Sequence, residues 1–187
     1  MKDLLRPTIC CSQAGYTLCF PDTQIIPNGT TQSNPFYDFV DQQSFWTYTI
    51  QLSESANSFQ QFAVQICSEL AARTDKNDFK VERSDDNGVT FTNINGFQVS
   101  THDNLTGLDN VIRINESGNP GTFTIFRITI LNPNFFNLAP EAGSLVIRNQ
   151  NTNFLFDSTT CNPALPTPSV NCTRIPPPSR GITFCPL

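Results

Sequence analysis

Trp46-Thr47-Tyr48-Thr49-Ile50-Gln51-Leu52 places an apolar side chain at every second position, with threonine or glutamine between. Successive side chains of an extended chain point to opposite faces, so this is the period of a half-buried β-strand rather than a helix. Phe62, Val64 and Ile66 repeat the alternation. Residues 79–83 and 89–92 flank Ser84-Asp85-Asp86-Asn87-Gly88, a hairpin signal because Asn-Gly accepts positive φ. Residues 96–101, 111–114, 122–131 and 144–148 complete the series of strands. Within 122–131 the phase shifts: Phe123 and Ile125 share one parity, Phe126, Ile128 and Ile130 the other. Either both faces of this strand are covered or a bulge near Ile125-Phe126 re-aims it. Only residues 68–76 read as a helix, of about two turns. Short strands separated by turns predict an all-β fold, a β-sandwich and most simply a jelly roll.

Composition narrows the class. The chain has 187 residues, enough for one domain with a real core. Charged residues are 14%, below the roughly 25% of an ordinary soluble domain. A net charge of -5, with eleven basic residues thinly spread, supplies no electrostatic footprint for nucleic acid. The single His excludes any site that needs two. No stretch approaches the ~20 apolar residues of a membrane span. Met1-Lys2-Asp3-Leu4-Leu5-Arg6-Pro7 carries charge but no apolar h-region, so a Sec leader is not expected.

Residues 1–35 read as irregular, and the chain divides into an N-terminal connector arm, 1–18, and a single β-sandwich domain, 19–187. The domain includes a Pro-rich C-terminal segment, 158–187, that holds Cys161, Cys172 and Cys185. If the strands at 46–52 or 122–131 lie at sheet edges, few charges block pairing with a second chain, since Arg127 is the one charge in either.

Sites for chemistry are scarce. His102-Asp103 could form a catalytic pair, but no nucleophile can be placed beside it, and an exposed loop histidine is the simpler reading. Asp75, Asp78, Asp85 and Asp86 lack the spacing of an EF-hand, and Asp85-Asp86 fits hairpin chemistry alone. Sequons at Asn28, Asn104, Asn115 and Asn171 are as many as chance gives in so Asn- and Thr-rich a chain. There is no Gly-rich phosphate loop and no Gly-x-Ser-x-Gly elbow. Neither a metal, a cofactor nor an enzymatic activity is expected.

The seven cysteines are the informative feature. No Cys-x-x-Cys pair signals zinc, and an odd count leaves one thiol free or paired with another chain. Cys10 and Cys11 are neighbours, too close to favour a bond to each other. Two readings stand: they bond back to the chain's own body, or the arm, which reaches roughly 36 Å when extended, carries them to a neighbour. Cys161 and Cys172 could close a Pro-rich loop within one subunit, and Cys67 could be a buried thiol.

The N-terminal pattern resembles the endospore appendage (Ena-type) family, the subunits of pilus-like fibres on bacterial spores. The resemblance rests on an apolar residue (Leu4 or Leu5), the pair Cys10-Cys11, then Cys19, and on the closing Gly181-Ile182-Thr183-Phe184-Cys185. It covers about twenty residues at the start and five at the end. The chain departs from the family in its greater length, its extra Cys67, Cys161 and Cys172, and the absence of a Tyr after the last Cys. The resemblance implies jelly-roll subunits that stack by strand augmentation into a helical homopolymer. Cys10 and Cys11 would then bond to Cys19 and Cys185 of other subunits, at the spore surface or outside the cell, without a Sec leader. A second subunit or a surface anchor is a further partner to consider. The alternatives are a monomeric β-sandwich that binds carbohydrate or adheres to a surface, and a viral capsid or tail protein.

Overall fold

The computed structural model describes residues 8–178. In chain order its strands are β1 (Ile9–Gln13), β2 (Tyr16–Phe20), β3 (Thr23–Ile25), β4 (Thr31–Ser33), β5 (Phe36–Asp38), β6 (Gln43–Leu52), β7 (Gln61–Gln65) and β8 (Phe79–Ser84). They continue as β9 (Thr92–Ile94), β10 (Phe97–Asp103), β11 (Leu108–Ile114), β12 (Phe123–Ile130), β13 (Pro140–Ala142), β14 (Leu145–Arg148), β15 (Asn153–Phe156) and β16 (Pro166–Pro168). One sheet runs β1-β2-β6-β12-β8-β9, with β5 also pairing β6, and the other runs β10-β11-β7-β14-β15. The strand pairings among the described residues are antiparallel, and the two sheets face each other as a sandwich, so the expected all-β sandwich is the fold.

The apolar alternation of residues 46–52 fixes the core. Trp46, Tyr48, Ile50 and Leu52 all point inward from β6 and are at most 2% exposed. Phe62 of β7 meets Phe126 of β12 across the sandwich, ring centroids 5.5 Å apart and nearly parallel, while Tyr48 meets Phe62 edge-on. Such aromatic pairs add to the burial of apolar area that holds the two layers together.

The shifted phase of β12 resolves without a bulge. Its pairing with β6 is continuous from Phe123 to Ile130, so both faces of the strand are covered. Phe126, Ile128 and Ile130 enter the core, whereas Ile125, Arg127 and Thr129 lie on the outer face. The outer face is roofed in part by the segment that holds β3 and β4. There Gln24 and Asn34 do unusual work. β2 pairs with β6 only as far as Thr49, and β5 pairs with β6 only from Phe45 downward. In the gap, Gln24 Nε2 donates to the Phe45 carbonyl (2.8 Å) and Asn34 Nδ2 to the Thr47 carbonyl (2.8 Å). The Thr47 N–H in turn donates to Asn34 Oδ1 (3.0 Å). Two side-chain amides thus stand in for a missing strand and satisfy buried backbone groups.

The helix is shorter than 68–76. It spans Ser68–Arg73, and a 3₁₀ turn at Lys76–Asp78 follows, capped by Asp75, whose side chain accepts from the Asn77 N–H (2.7 Å) while Asp78 reaches back to the Asp75 N–H. Short polar side chains compete for backbone donors and end the helix early. The 84–88 hairpin exists, with Asn87 and Gly88 both at positive φ, but its loop is longer than expected. Val89 therefore sits in the turn, 79% exposed, instead of in a strand.

Residues 9–33, expected to be irregular, hold four strands. The signal was present: Tyr16, Leu18 and Phe20 alternate with Thr17 and Cys19, and all three apolar residues are buried. The Pro-rich stretch likewise packs onto the body. β16 pairs β13, Leu165 is fully buried, and the Tyr48 hydroxyl donates to the Pro166 carbonyl (3.1 Å).

Candidate functional site: the cysteine-bearing edge

The expected connector arm is, from residue 9 onward, an edge strand of the chain's own body. β1 and β2 are joined by Ala14 and Gly15, both at positive φ, the two-residue turn whose twist matches a hairpin. The register sets Cys10 opposite Cys19, and the two are bonded, Cα atoms 4.1 Å apart. Alternation then turns the neighbour inward: Cys10 is exposed, whereas Cys11 is buried and bonded to Cys161. Gln13 Nε2 adds a hydrogen bond to the Leu155 carbonyl at the edge of the opposite sheet (2.5 Å). β1 is therefore tied to both layers at the same side of the sandwich.

The third bond joins Cys67, at the end of β7, to Cys172 in the Pro-rich stretch. The expected pairing of Cys161 with Cys172 is corrected by this arrangement: each sulfur is engaged elsewhere, Cys161 by Cys11 and Cys172 by Cys67. Cys67 is buried, as expected, but as half of a disulfide and not as a thiol. Cys10, Cys11 and Cys19 are bonded within the single chain described, where bonds to other subunits had been expected. Three bonds use six of the seven cysteines. The seventh, Cys185, and with it Gly181, lies outside the described residues, as do Leu4 and Leu5.

The edges themselves are not those anticipated. β6 and β12 are interior strands: β12 pairs with β6 and β8, and β6 pairs with β12 on one side and with β2 and β5 on the other, so the backbone edges of both are taken. The outer strands are β1, β5 and β9 of one sheet and β10 and β15 of the other. β1, β9 and β15 carry no charged residue, so they lack the charges that commonly guard an edge, and Leu155 of β15 is partly exposed. β10 carries His102 and Asp103.

These two do not form a pair. His102 lies on an exposed strand face, not in a loop, with Nδ1 2.6 Å from Asp109 Oδ1 across the β10–β11 ladder. The hydrogen bond to Asp109 holds the imidazole pKa above its ordinary value. Asp103 points inward, where it accepts from the Thr106 N–H and hydroxyl and lies 3.0 Å from Arg113 Nε. Asp86 accepts from the hydroxyl of Thr90 (2.5 Å), the Thr90 N–H and the Ser84 hydroxyl. Those bonds, the Thr90 hydroxyl foremost, bring its pKa down to about 2 and assign it to the turn. Asp75 and Asp78 are used by the cap already described. Among the described residues no three His, Cys, Asp or Glu side chains converge as metal ligands would.

No protein-family model matches the chain, and no curated protein is similar to it.

Proposed function

We propose that the chain is a structural subunit that assembles with copies of itself into a disulfide-crosslinked fibre at a spore or cell exterior, and that it is not an enzyme. One observation carries this reading: an uncharged edge strand, β1, holds two adjacent cysteines whose partners, Cys19 and Cys161, belong to different parts of the body. A strand with open backbone groups on its far side is a template for a second chain. The bonds it makes can be formed with the same register inside one copy or between two, if the turn at Ala14-Gly15 opens and β1 is exchanged.

Counting thiols makes the exchange necessary. With all three bonds internal, one leftover cysteine per chain links subunits only in pairs. A covalent polymer needs at least two links per subunit, and exchange of β1 supplies them by making Cys10–Cys19 and Cys11–Cys161 bridges between neighbours. The resemblance to the endospore appendage subunits, in which an N-terminal Cys-Cys connector reaches other subunits, supports the same arrangement.

The test is to assemble an equal mixture of ¹⁴N- and ¹⁵N-labelled subunits and to read the disulfide-linked peptides by mass spectrometry. Peptides joining Cys10 to Cys19, or Cys11 to Cys161, with one light and one heavy half are expected. Only uniformly light and uniformly heavy pairs would refute exchange. The bonds within one chain favour a second reading, a self-contained, stapled β-sandwich that binds a surface or carbohydrate as a monomer. It predicts a single band near 20.8 kDa on a denaturing gel with or without reductant.

A further inference from the structure

Asn-Gly occurs three times, at Asn28-Gly29, Asn87-Gly88 and Asn95-Gly96, and the fold treats the three differently. The pair matters chemically because a glycine N–H, unhindered by a side chain, can attack the asparagine carboxamide that precedes it. At the first two, glycine sits at positive φ in a turn and its N–H is spent. Gly29 donates to the Ile26 carbonyl (2.9 Å), and the buried Gly88 donates to the Ser84 hydroxyl (2.9 Å). Asn28 is held further, because its Oδ1 accepts from the N–H (3.0 Å) and the hydroxyl (2.7 Å) of Thr30.

Asn95-Gly96 links β9 to β10 and belongs to neither strand, and both residues are exposed. Neither the Gly96 N–H nor the Asn95 carboxamide has a hydrogen-bond partner among the described residues. The carbonyl oxygen of the peptide that joins them, by contrast, accepts from Lys76 Nζ. The Phe97 ring, its centroid 5.0 Å from Nζ, steadies the ammonium there. Loss of the Gly96 N–H proton delocalises negative charge onto that same oxygen, so a positioned cation stabilises the nucleophile as it forms.

We propose that Asn95 is a site of spontaneous deamidation, favoured over Asn28 and Asn87 by the free Gly96 N–H and by Lys76. The Gly96 nitrogen gives up its proton and bonds to Asn95 Cγ. The Cγ–Nδ2 bond breaks, and Nδ2 leaves with a proton as ammonia. The succinimide that results takes up one water, which opens either carbonyl and leaves aspartate or isoaspartate. The product places a carboxylate between β9, an edge strand without charge, and β10, the edge strand of the other sheet. One side of the sandwich thus acquires, as the protein ages, the kind of charge that guards an edge. The proposal is independent of the fibre reading, because it uses no cysteine and no second chain.

The experiment is incubation of the full chain in mildly alkaline H₂¹⁸O, followed by peptide mapping with tandem mass spectrometry, so that each newly formed carboxylate carries the label. Label is expected at position 95 about tenfold faster than at 28 or 87. In the chain unfolded by urea and reductant the three rates should converge, since all three share the same dipeptide. Lys76→Gln should slow position 95 by about threefold or more, whereas Lys76→Arg, which keeps a cation, should retain most of the rate. Positions 28 and 87 report any loosening of the fold and should be unchanged in both variants. Labelling at 95 no faster than at 28 and 87, the same advantage in the unfolded chain, or an undiminished rate in Lys76→Gln would each overturn the proposal.

Discussion

Arg127 of β12 and Glu82 of β8 face each other across the ladder, with Nε and Nη2 of the guanidinium each 2.8 Å from Glu82 Oε2 and both side chains almost wholly shielded from solvent. The remaining donors are not idle. Nη1 donates to the Ile25 carbonyl (2.5 Å), and the guanidinium lies 3.8 Å from the Phe91 ring centroid. One cation thus ties β8, the roof segment and the loop before β9 to a central strand. This explains how the outer face of an all-β sheet can bury a charge in the middle of an apolar run.

Replacing Arg127 with Met is expected to cost about 3–5 kcal/mol, nearer the low end because Lys80 still pairs Glu82, since a buried carboxylate loses its main partner. Arg127→Met with Glu82→Leu should regain most of that loss. Urea denaturation of the three proteins checks both statements, and a double variant no better than the single one would contradict them.

The same pair gives a pH dependence with a definite sign. Burial alone would raise the Glu82 pKa, but hydrogen bonds from Arg127 and Lys80 outweigh it and hold it below 4.5. The group's contribution is therefore complete above about pH 4.5 and is lost as the pH falls through the lowered folded value. Urea midpoints between pH 3 and 6 should fall more steeply for the natural chain than for Glu82→Gln.

His102 works in the opposite direction. Its pKa is raised above 6.5 by Asp109, so whatever the pair contributes is present at low pH and disappears as the pH rises through the raised value. Asp109→Asn should move the histidine titration, followed by NMR, back toward 6.5. An unmoved titration would show that the cross-strand contact is not formed in solution.

Replacing Cys67 and Cys172 with Ser should lower stability by about 3–5 kcal/mol, since the bond closes a loop of 105 residues in the unfolded chain. The loss should appear as a lower urea midpoint with the fold retained. Replacing Cys161 alone should, by contrast, liberate Cys11, which alkylation and mass spectrometry would detect.

Gly118 is a site of close approach. A Cβ there would stand 2.2 Å from Cε1 of the buried Phe59, whose backbone pairs with Gly118 in an isolated bridge. Gly118→Ala should destabilise by about 1–3 kcal/mol through overpacking. Phe126→Ala, which empties the centre of the sandwich, should cost about 3–5 kcal/mol. Thermal denaturation distinguishes the two sites.

Most strands were legible because period-two alternation depends only on which face meets the core. β6, β7 and the inward half of β12 follow it directly. What could not be read was partnership. The sequence of β12 shows that both faces are covered but not that Arg127 meets Glu82, a pairing set by register between strands 45 residues apart. The cysteines failed for the same reason. Cys11 reaches Cys161 because two sheet edges come together, and no local spacing encodes that. Asp85 and Asp86, the densest acidic pair, are spent on Arg83, Thr124, Ser84 and Thr90 around their own hairpin, which a count of carboxylates does not reveal.

The amides of Gln24 and Asn34 have a consequence for anyone who would reshape this molecule. Because they complete the hydrogen bonding of β6, residues 21–35 cannot be treated as a removable ornament or a graft site: deleting them would open a slot in the heart of a sheet, where an unrelated peptide could lodge. Foreign sequence belongs instead at the turn around Val40, which is 90% exposed and stands clear of the slot.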